Sequence, residues 1–279
     1  YLIQGKLYRY DANGKPRRDL VEKADVSSDG KTITHTLRAA KYSDGTNLVA
    51  ADVVNSFERW VGSKRSASYI DAVDKVVAKD SRTVVWTLKR PYPDFNFALA
   101  QEFMGILPAS KTDTAEKAKE YFKDPVAGGP MMIKTFTPGT DSFILVANPN
   151  YWAKVAVKQV DFVAIPDPVT RVIALRQGTI DYAFDLPGAI ARGQLADKNK
   201  YRFTPTQAQG TFTLDFNLRA STPGGAKAGS PLANVKVRQA LSYAANRKQM
   251  GTVAFFGDVS PGCSITWANS PLATCAIPT

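Results

Sequence analysis

The side chains best suited to nucleophilic or metal chemistry in this sequence are one histidine, His35, and two cysteines, Cys263 and Cys275. A structural zinc site needs four such ligands in two close pairs, which this set does not supply, so we predict no metal site and no cofactor. The sequence also lacks the Gly-x-Ser-x-Gly turn of serine hydrolases and the His-Glu-x-x-His helix of zinc proteases. No carboxylate spacing singles out an acid and base pair. We therefore predict no catalytic residues, and a secreted hydrolase stays only as an alternative that turnover of a peptide mixture would reveal.

His35 stands in an alternating stretch from Lys31 to Arg38, in which it shares one face with Ile33 and Leu37. Alternation of this kind is typical of a strand with one buried face. The imidazole therefore points with the apolar set. We predict a buried or half-buried structural histidine rather than a base or a metal ligand.

The formal net charge of +11 raises the question of nucleic-acid binding, because lysine and arginine contacts to phosphate supply most of the affinity of such complexes. The basic residues are scattered, however, and alternate with acidic ones. The densest basic patch, 15–18, has Asp11 and Asp19 beside it. This pattern favours a solvated basic surface and no nucleic-acid partner. No window approaches eighteen consecutive apolar residues, the length that a membrane-spanning helix needs.

A turn followed by an amphipathic helix is the clearest local pattern, at 42–60. Aspartate and glycine in the stretch 43–46 predict the turn. The helix should present an apolar stripe, with a polar face opposite. Val49 precedes the helix and has no side-chain acceptor for its first N–H groups, so we expect this end to fray. The stripe consists of Val53, Val54, Phe57, Trp60 and Val61, and the polar face of Asp52, Asn55, Glu58 and Arg59.

Further strands and helices alternate along the rest of the chain, which favours an α/β lobe over a bundle or a sandwich. The aromatics that follow the strand at 84–88, among them Tyr92 and Phe95, predict a hydrophobic core rather than a cofactor site. Gly128-Gly129-Pro130 indicates a crossing between subdomains. The predicted strands are 131–136, 142–147 and 160–165, and the predicted helices are 115–122, 169–177 and one over 237–245 that begins at Asn234.

Six phrases of the sequence together resemble the extracytoplasmic solute-binding proteins of peptide-type ABC importers, the family of the oligopeptide, dipeptide and nickel binders. The turn and helix at 42–60 is similar to the family's FSDGTPLTAEDVVFSLER. All six phrases occur in the same order as in the family, although any one of them alone would be weak evidence. The other five are LVE with SSDGKT and TLR at 20–38, PVAGGP at 125–130, NPNYW at 148–152, ALRQGTID at 174–181 and VKVRQAL at 235–241.

The resemblance implies a periplasmic binding protein-like fold of type II, class C: an α/β lobe with an accessory α/β subdomain. It covers only the first part of the family's length, so we expect the second lobe to be largely missing. The implied division places residues 1–6 and 129–248 in the main lobe, 7–128 in the accessory subdomain and 249–279 at the start of the second lobe.

The resemblance also implies where ligand binds. Residues 210–217 alternate as a strand would, and the matching strand of the family borders the ligand cleft, where its main chain pairs with an extended peptide. The alternative is a plain inner strand whose last residue closes a turn. The predicted ligand-binding residues are Phe212, Thr213, Leu214, Asp215 and Asn217.

By resemblance, the chain is a monomeric, non-enzymatic binding component. It would capture an oligopeptide or another small solute and deliver it to an ABC permease in the membrane. It would lie in the periplasm or outside the cell, with a lipid anchor as one mode of attachment, and an exported location favours a disulfide between Cys263 and Cys275. The alternative in a second class is a binding-protein fold that serves as a sensor or assembly lipoprotein without a transport role.

Overall fold

A computed structural model describes residues 2–137, 139, 142–202, 215–218 and 230–254. The chain divides into two compact units, Tyr1–Ala164 and Ile165–Thr279. The predicted division into a main lobe, an accessory subdomain and a second lobe remains a prediction.

Among the described residues, the first unit contains all of the strands and four of the helices. The strands are β1 (Tyr8–Tyr10), β2 (Pro16–Arg18), β3 (Val21–Val26), β4 (Thr32–Leu37), β5 (Ala40–Lys41), β6 (Asn47–Leu48), β7 (Val73–Ala78), β8 (Thr83–Leu88), β9 (Met131–Phe136), β10 (Ser142–Ala147) and β11 (Gln159–Val163). The helices are α1 (Ala50–Val61), α2 (Phe95–Ala100), α3 (Ala109–Thr112) and α4 (Ala115–Tyr121). A short 3₁₀ helix covers Ala67–Tyr69.

The largest sheet in the described part has the order β3-β4-β8-β7, and all of its pairings are antiparallel. One face of its two central strands is buried, because alternate residues of β4 and β8 point into the core. Trp86 fills the centre of this face, with the rings of Phe57 and Phe95 packed edge-on at 5.8 and 5.2 Å between centroids. The predicted aromatic core is confirmed at Phe95, which is buried.

The turn and the helix α1 are confirmed. Two residues of the helix, however, differ from the prediction in their exposure to solvent. Asp52 is buried, since its carboxylate accepts the N–H groups of Val49 at 2.9 Å and Ala109 at 2.7 Å. Val61 is 53% exposed at the last helical position. Val49 offers no side-chain cap, as predicted, yet Asp52 holds the helix start from within.

The first unit also contains a sheet of three antiparallel strands, in the order β11-β10-β9, and the antiparallel pairs β1-β2 and β5-β6. The strands of the three-stranded sheet match the predicted ones, with β11 ending two residues before the predicted limit of 165. Phe143 and Phe162 stack across β10 and β11 at 4.4 Å between ring centroids. Such cross-strand aromatic pairs stabilise a sheet and fix its register.

The second unit is helical where it is described. It contains α5 (Pro168–Gln177), α6 (Gly188–Gln194), a 3₁₀ turn at Pro231–Ala233, α7 (Val235–Ala244) and α8 (Arg247–Ala254). Gly178, with φ of 75°, ends α5, and the side chain of Asn234, the predicted start of its helix, accepts the Lys236 N–H at 2.9 Å at the start of α7. The apolar stripe of α7 is not buried, because nothing in the described part of the chain covers it.

Candidate functional site

The predicted ligand-binding residues fall at the edge of what the structure describes. Phe212, Thr213 and Leu214 lie outside the described residues. Asp215 and Asn217 lie in the short described stretch 215–218, where the backbone is irregular and not the predicted strand, and both residues are exposed. The ligand role of all five residues stays a prediction. Cys263 and Cys275 also lie outside the described residues, so their disulfide stays a prediction as well.

His35 is a buried structural residue, as predicted, with only 2% of its surface exposed. The indole Nε1 of Trp86 donates to its Nδ1 at 3.0 Å, and the hydroxyl of Tyr8 lies 3.2 Å from its Nε2. Burial lowers the pKa of His35 to about 4, and the positive charge of Arg18 contributes in the same direction. The imidazole is therefore neutral at physiological pH, and both of its nitrogens are used within the fold.

The carboxylate of Asp19 is the centre of a buried polar cluster that the sequence did not reveal. Arg9 donates its Nε–H to one oxygen, while the hydroxyl of Tyr151 and the indole Nε1 of Trp152 donate to the other at 2.6 and 2.8 Å. The guanidinium of Arg38 covers the Trp152 ring at 3.7 Å. Burial and the hydrogen bond to Asp19 raise the pKa of Tyr151 to about 12.

Two of the three donors, Tyr151 and Trp152, belong to the Asn-Pro-Asn-Tyr-Trp phrase, whereas Arg9 comes from β1 and lies in none of the six phrases. The cluster joins the start of β3 to the Asn-Pro-Asn-Tyr-Trp phrase after β10. The hydrogen bonds described for both carboxylate oxygens come from side chains of the first unit, so the cluster ties distant segments of that unit together.

The Gly128-Gly129-Pro130 crossing lies against the start of the chain. The N–H of Gly129 donates to the carbonyl of Ile3 at 2.7 Å, and the side-chain amide of Asn148 donates to the Gly129 carbonyl at 2.9 Å. A Cβ atom at Gly129 would stand 2.4 Å from the Leu2 carbonyl oxygen, so only glycine fits. This position explains the glycine in physical terms as a close approach of two backbones.

Lys6 is a second buried polar residue that the sequence did not mark. Its side chain is fully buried, and its ammonium donates to the carbonyl of Gln101. Burial, and to a smaller extent the charge of Arg9, lower the pKa of Lys6 to about 7 against the opposing attraction of Glu102 and Asp19. A neutral amine can act as a base, but the side chain of Lys6 lines neither of the pockets described next.

Each unit has an open pocket within its described residues. The first has a volume of about 520 Å³ and sits beside His35, between β2, β3 and the prolines that precede α2. The second, of about 530 Å³, is lined mainly by polar side chains of the second unit, among them Arg176, Asp197 and Lys200. Both volumes fall in the range of small-molecule sites.

Metal binding and membrane crossing find no support in the part of the chain that the structure describes. No three or more histidine, cysteine or acidic side chains come together there in a way that would hold a metal ion. None of the described helices combines the length and the apolar character that a bilayer crossing requires.

Comparison with known proteins places this fold. At 29% identity over 286 residues, the dipeptide-binding protein of Lactococcus lactis subsp. cremoris aligns with 92% of this chain and 51% of its own length. The nickel-binding periplasmic protein of Escherichia coli is 28% identical, with 92% and 48% covered. The solved binding protein AgaA of A. tumefaciens R10, in complex with agropinic acid, is 29% identical with a TM-score of 0.75, covering 99% of this chain and 52% of AgaA.

The chain thus spans about half the length of the relatives that it matches. The profile of the bacterial extracellular solute-binding proteins, family 5, matches residues 15–277, which is nearly the whole sequence. The family consists of binding proteins rather than enzymes, and the mixed helices and strands described above fit part of its α/β architecture. On this evidence the chain belongs to family 5 of the bacterial extracellular solute-binding proteins.

Proposed function

We propose that this chain is the solute-capturing part of an ABC importer's binding component. It takes up an oligopeptide or another small solute outside the cytoplasmic membrane and delivers it to the permease. The observation that carries the proposal is the family match over residues 15–277, together with a fold that superposes on a ligand-bound member of the same architecture. The relatives' names, a dipeptide binder and a nickel binder, support a small solute as cargo.

The absence of catalysis is part of the same proposal. The single histidine is buried and neutral, with both ring nitrogens bonded to Tyr8 and Trp86, so it is unavailable as a base. We extend the proposal to the cellular location and the oligomeric state of the chain. The chain lies in the periplasm or outside the cell, with a lipid anchor as one mode of attachment, and is a monomer.

The stretch 210–217 is the proposed ligand edge. Strand addition would give affinity through main-chain hydrogen bonds that do not depend on the peptide's side chains. Side chains of the strand would then select the residues that fit: Phe212, Thr213, Leu214, Asp215 and Asn217. Asp215 and Asn217 are exposed, which leaves them accessible to a ligand.

Native mass spectrometry of the purified 279-residue chain tests the proposal. We expect a mass above that of the bare sequence, which falls on denaturation as small peptides or another solute are released. A bare mass that stays unchanged after incubation with a mixture of short peptides would contradict cargo binding by this chain. Cleavage of those peptides would instead favour the hydrolase, and a co-purifying protein partner would favour the sensor.

A pair of variants at one position tests the strand. Thr213→Pro removes a main-chain N–H donor, whereas Thr213→Ala keeps it and shortens only the side chain. If the ligand adds as a strand, Thr213→Pro should lose peptide retention and Thr213→Ala should keep most of it. Equal retention by both variants would argue against strand pairing at this residue.

A further inference from the structure

The pocket beside His35 is the feature that the proposed transport function does not use. All of its lining residues fall between Tyr8 and Asn96, so it shares no residue with the predicted ligand strand. Its floor is formed by Tyr8, Ile33, His35 and Phe95, each of which is buried. A ligand in this pocket would therefore meet a floor from which water is largely excluded.

The direction of the hydrogen bonds at the floor can be assigned from their donors. An indole N–H is only a donor, so Nδ1 of His35, 3.0 Å from Nε1 of Trp86, must be the acceptor. Because the imidazole is neutral, its proton is then on Nε2. That nitrogen lies 3.2 Å from the hydroxyl of Tyr8 and donates to its oxygen.

This assignment leaves the proton of the Tyr8 hydroxyl directed away from His35. Within the described residues, His35 is the hydrogen-bond partner found for this hydroxyl. A buried O–H gains more from a charged acceptor than from a neutral one. The floor of the pocket thus presents one donor that is oriented in advance by the chain from Trp86 through His35.

The charge of the pocket has the matching sign. Of the described residues that line it, Arg18 is the one with a formal charge at neutral pH. Burial raises the pKa of Tyr8, and the positive charge of Arg18 opposes that shift, which places the guanidinium within electrostatic reach of the hydroxyl. A pocket lined by both a cation and an O–H donor favours an anionic ligand that can accept a hydrogen bond.

The walls are apolar and leave room for more than a simple anion. Pro16, Ala24, Val26 and Pro91 surround the floor, and the volume of about 520 Å³ suits a molecule of small-ligand size. We propose that this pocket is a second binding site, which takes a small molecule that joins a carboxylate to an apolar body. The carboxylate accepts from Tyr8 and pairs with Arg18, while the apolar body packs on the proline and aromatic surface.

A titration of the ¹⁵N-histidine-labelled chain with 3-phenylpropanoate tests this site. Because the chain has one histidine, its ring signals need no assignment, and they report on the Nε2–H bond to Tyr8. We expect saturable shifts of these signals. 3-Phenylpropanamide, which has the same shape without the charge, should bind about tenfold more weakly.

Two arginine variants separate this site from general attraction to a basic protein. Arg18→Gln should weaken 3-phenylpropanoate binding about tenfold, whereas Arg17→Gln, on the neighbouring residue of β2 that does not line the pocket, should leave it within about twofold. Tyr8→Phe, which keeps the ring, should also weaken binding. If it fails to fold, Arg18→Gln and the amide decide.

The proposal is overturned if the histidine signals do not move at millimolar 3-phenylpropanoate. It is also overturned if the amide binds as well as the acid, or if Arg17→Gln weakens binding as much as Arg18→Gln. None of these outcomes depends on peptide retention by the chain, so the second site and the transport function are tested separately.

Discussion

The carboxylate Oδ1 of Asp19 lies 2.8 Å from the indole Nε1 of Trp152, although the two residues are 133 positions apart in the sequence. The same oxygen accepts the hydroxyl of Tyr151, and the other oxygen accepts Arg9. One buried carboxylate therefore joins the beginning of the first unit to its last loop before β11. We infer that this cluster contributes more to stability than the surface ion pairs of the same unit.

Asp19→Asn tests that inference. The amide keeps the volume but removes the charge that offsets Arg9, and a buried partner left unpaired is costly. We expect the free energy of unfolding to fall by about 2–4 kcal/mol in urea denaturation. Asp25→Asn, in the exposed pair with Lys23, should cost less than about 0.5 kcal/mol. Equal losses for the two variants would show that the Asp19 cluster has no special weight.

Lys6 predicts an unusual dependence of stability on pH. Its pKa is about 7 in the folded chain and 10.5 for an ordinary lysine, so between these values the unfolded state binds a proton that the folded state does not. Stability should therefore rise from pH 7 to pH 9, by at most about 1.4 kcal/mol per pH unit. Urea denaturation at the two pH values measures this rise. Lys6→Met should abolish it, and a rise of the same size in Lys6→Met would assign the effect to another group.

His35 should stay neutral far below the pH at which histidine usually titrates. Its pKa is about 4 because the ring is buried, whereas an ordinary histidine has 6.5. The folded pKa is lowered, so the unfolded state binds the extra proton and stability should fall as pH drops from 6.5 towards 4. The ¹⁵N shifts of the ring measure the protonation state directly. A charged ring at pH 5.5 in the folded chain would contradict the burial and the hydrogen bonds described here.

Gly129→Ala should be among the most destabilising glycine-to-alanine substitutions in the first unit. The new Cβ would overlap the backbone of residues 2–4, which cannot move as a flexible side chain can. We expect a loss of more than about 2 kcal/mol in the free energy of unfolding. Gly62→Ala is the matched control, because its Cβ would make only ordinary contacts, with the carbonyl oxygens of Arg59 at 3.6 Å and Glu58 at 3.8 Å, and its φ of −70° suits alanine. The free energy of unfolding of the Gly62→Ala variant should differ from that of the original chain by less than about 1 kcal/mol.

Local signals in the sequence predicted local structure well. The periodicity of α1, the alternation around His35 and the cap at Asn234 all act within a few residues, and the structure confirms the elements that they define. Asp52 was predicted to lie on the polar face and is buried instead, because its second partner, Ala109, stands at the start of α3, 57 positions further along the chain. The donors that gather on Asp19 escaped notice for the same reason.

The two candidate sites differ in the same way in how far they could be predicted from the sequence. The ligand strand was predicted from family resemblance, and it still awaits a test. The pocket beside His35 could not be predicted, because its walls come from β2, β3 and the loop before α2, which are joined only by folding. The one relevant prediction was the burial of His35 on an apolar face. That prediction identified a residue of the pocket floor but did not indicate a cavity beside it.

The distance between Asp19 and Trp152 along the chain also sets an order of events during synthesis. A ribosome delivers the acidic residue long before the indole and the phenol that satisfy it, so the nascent segment carries an incompletely bonded carboxylate while the intervening residues emerge. Contacts between residues so far apart close slowly, since the loop entropy must be lost first. The first unit should therefore reach its native form only after residue 152 has left the exit tunnel, which gives any export machinery time to engage an unfolded chain.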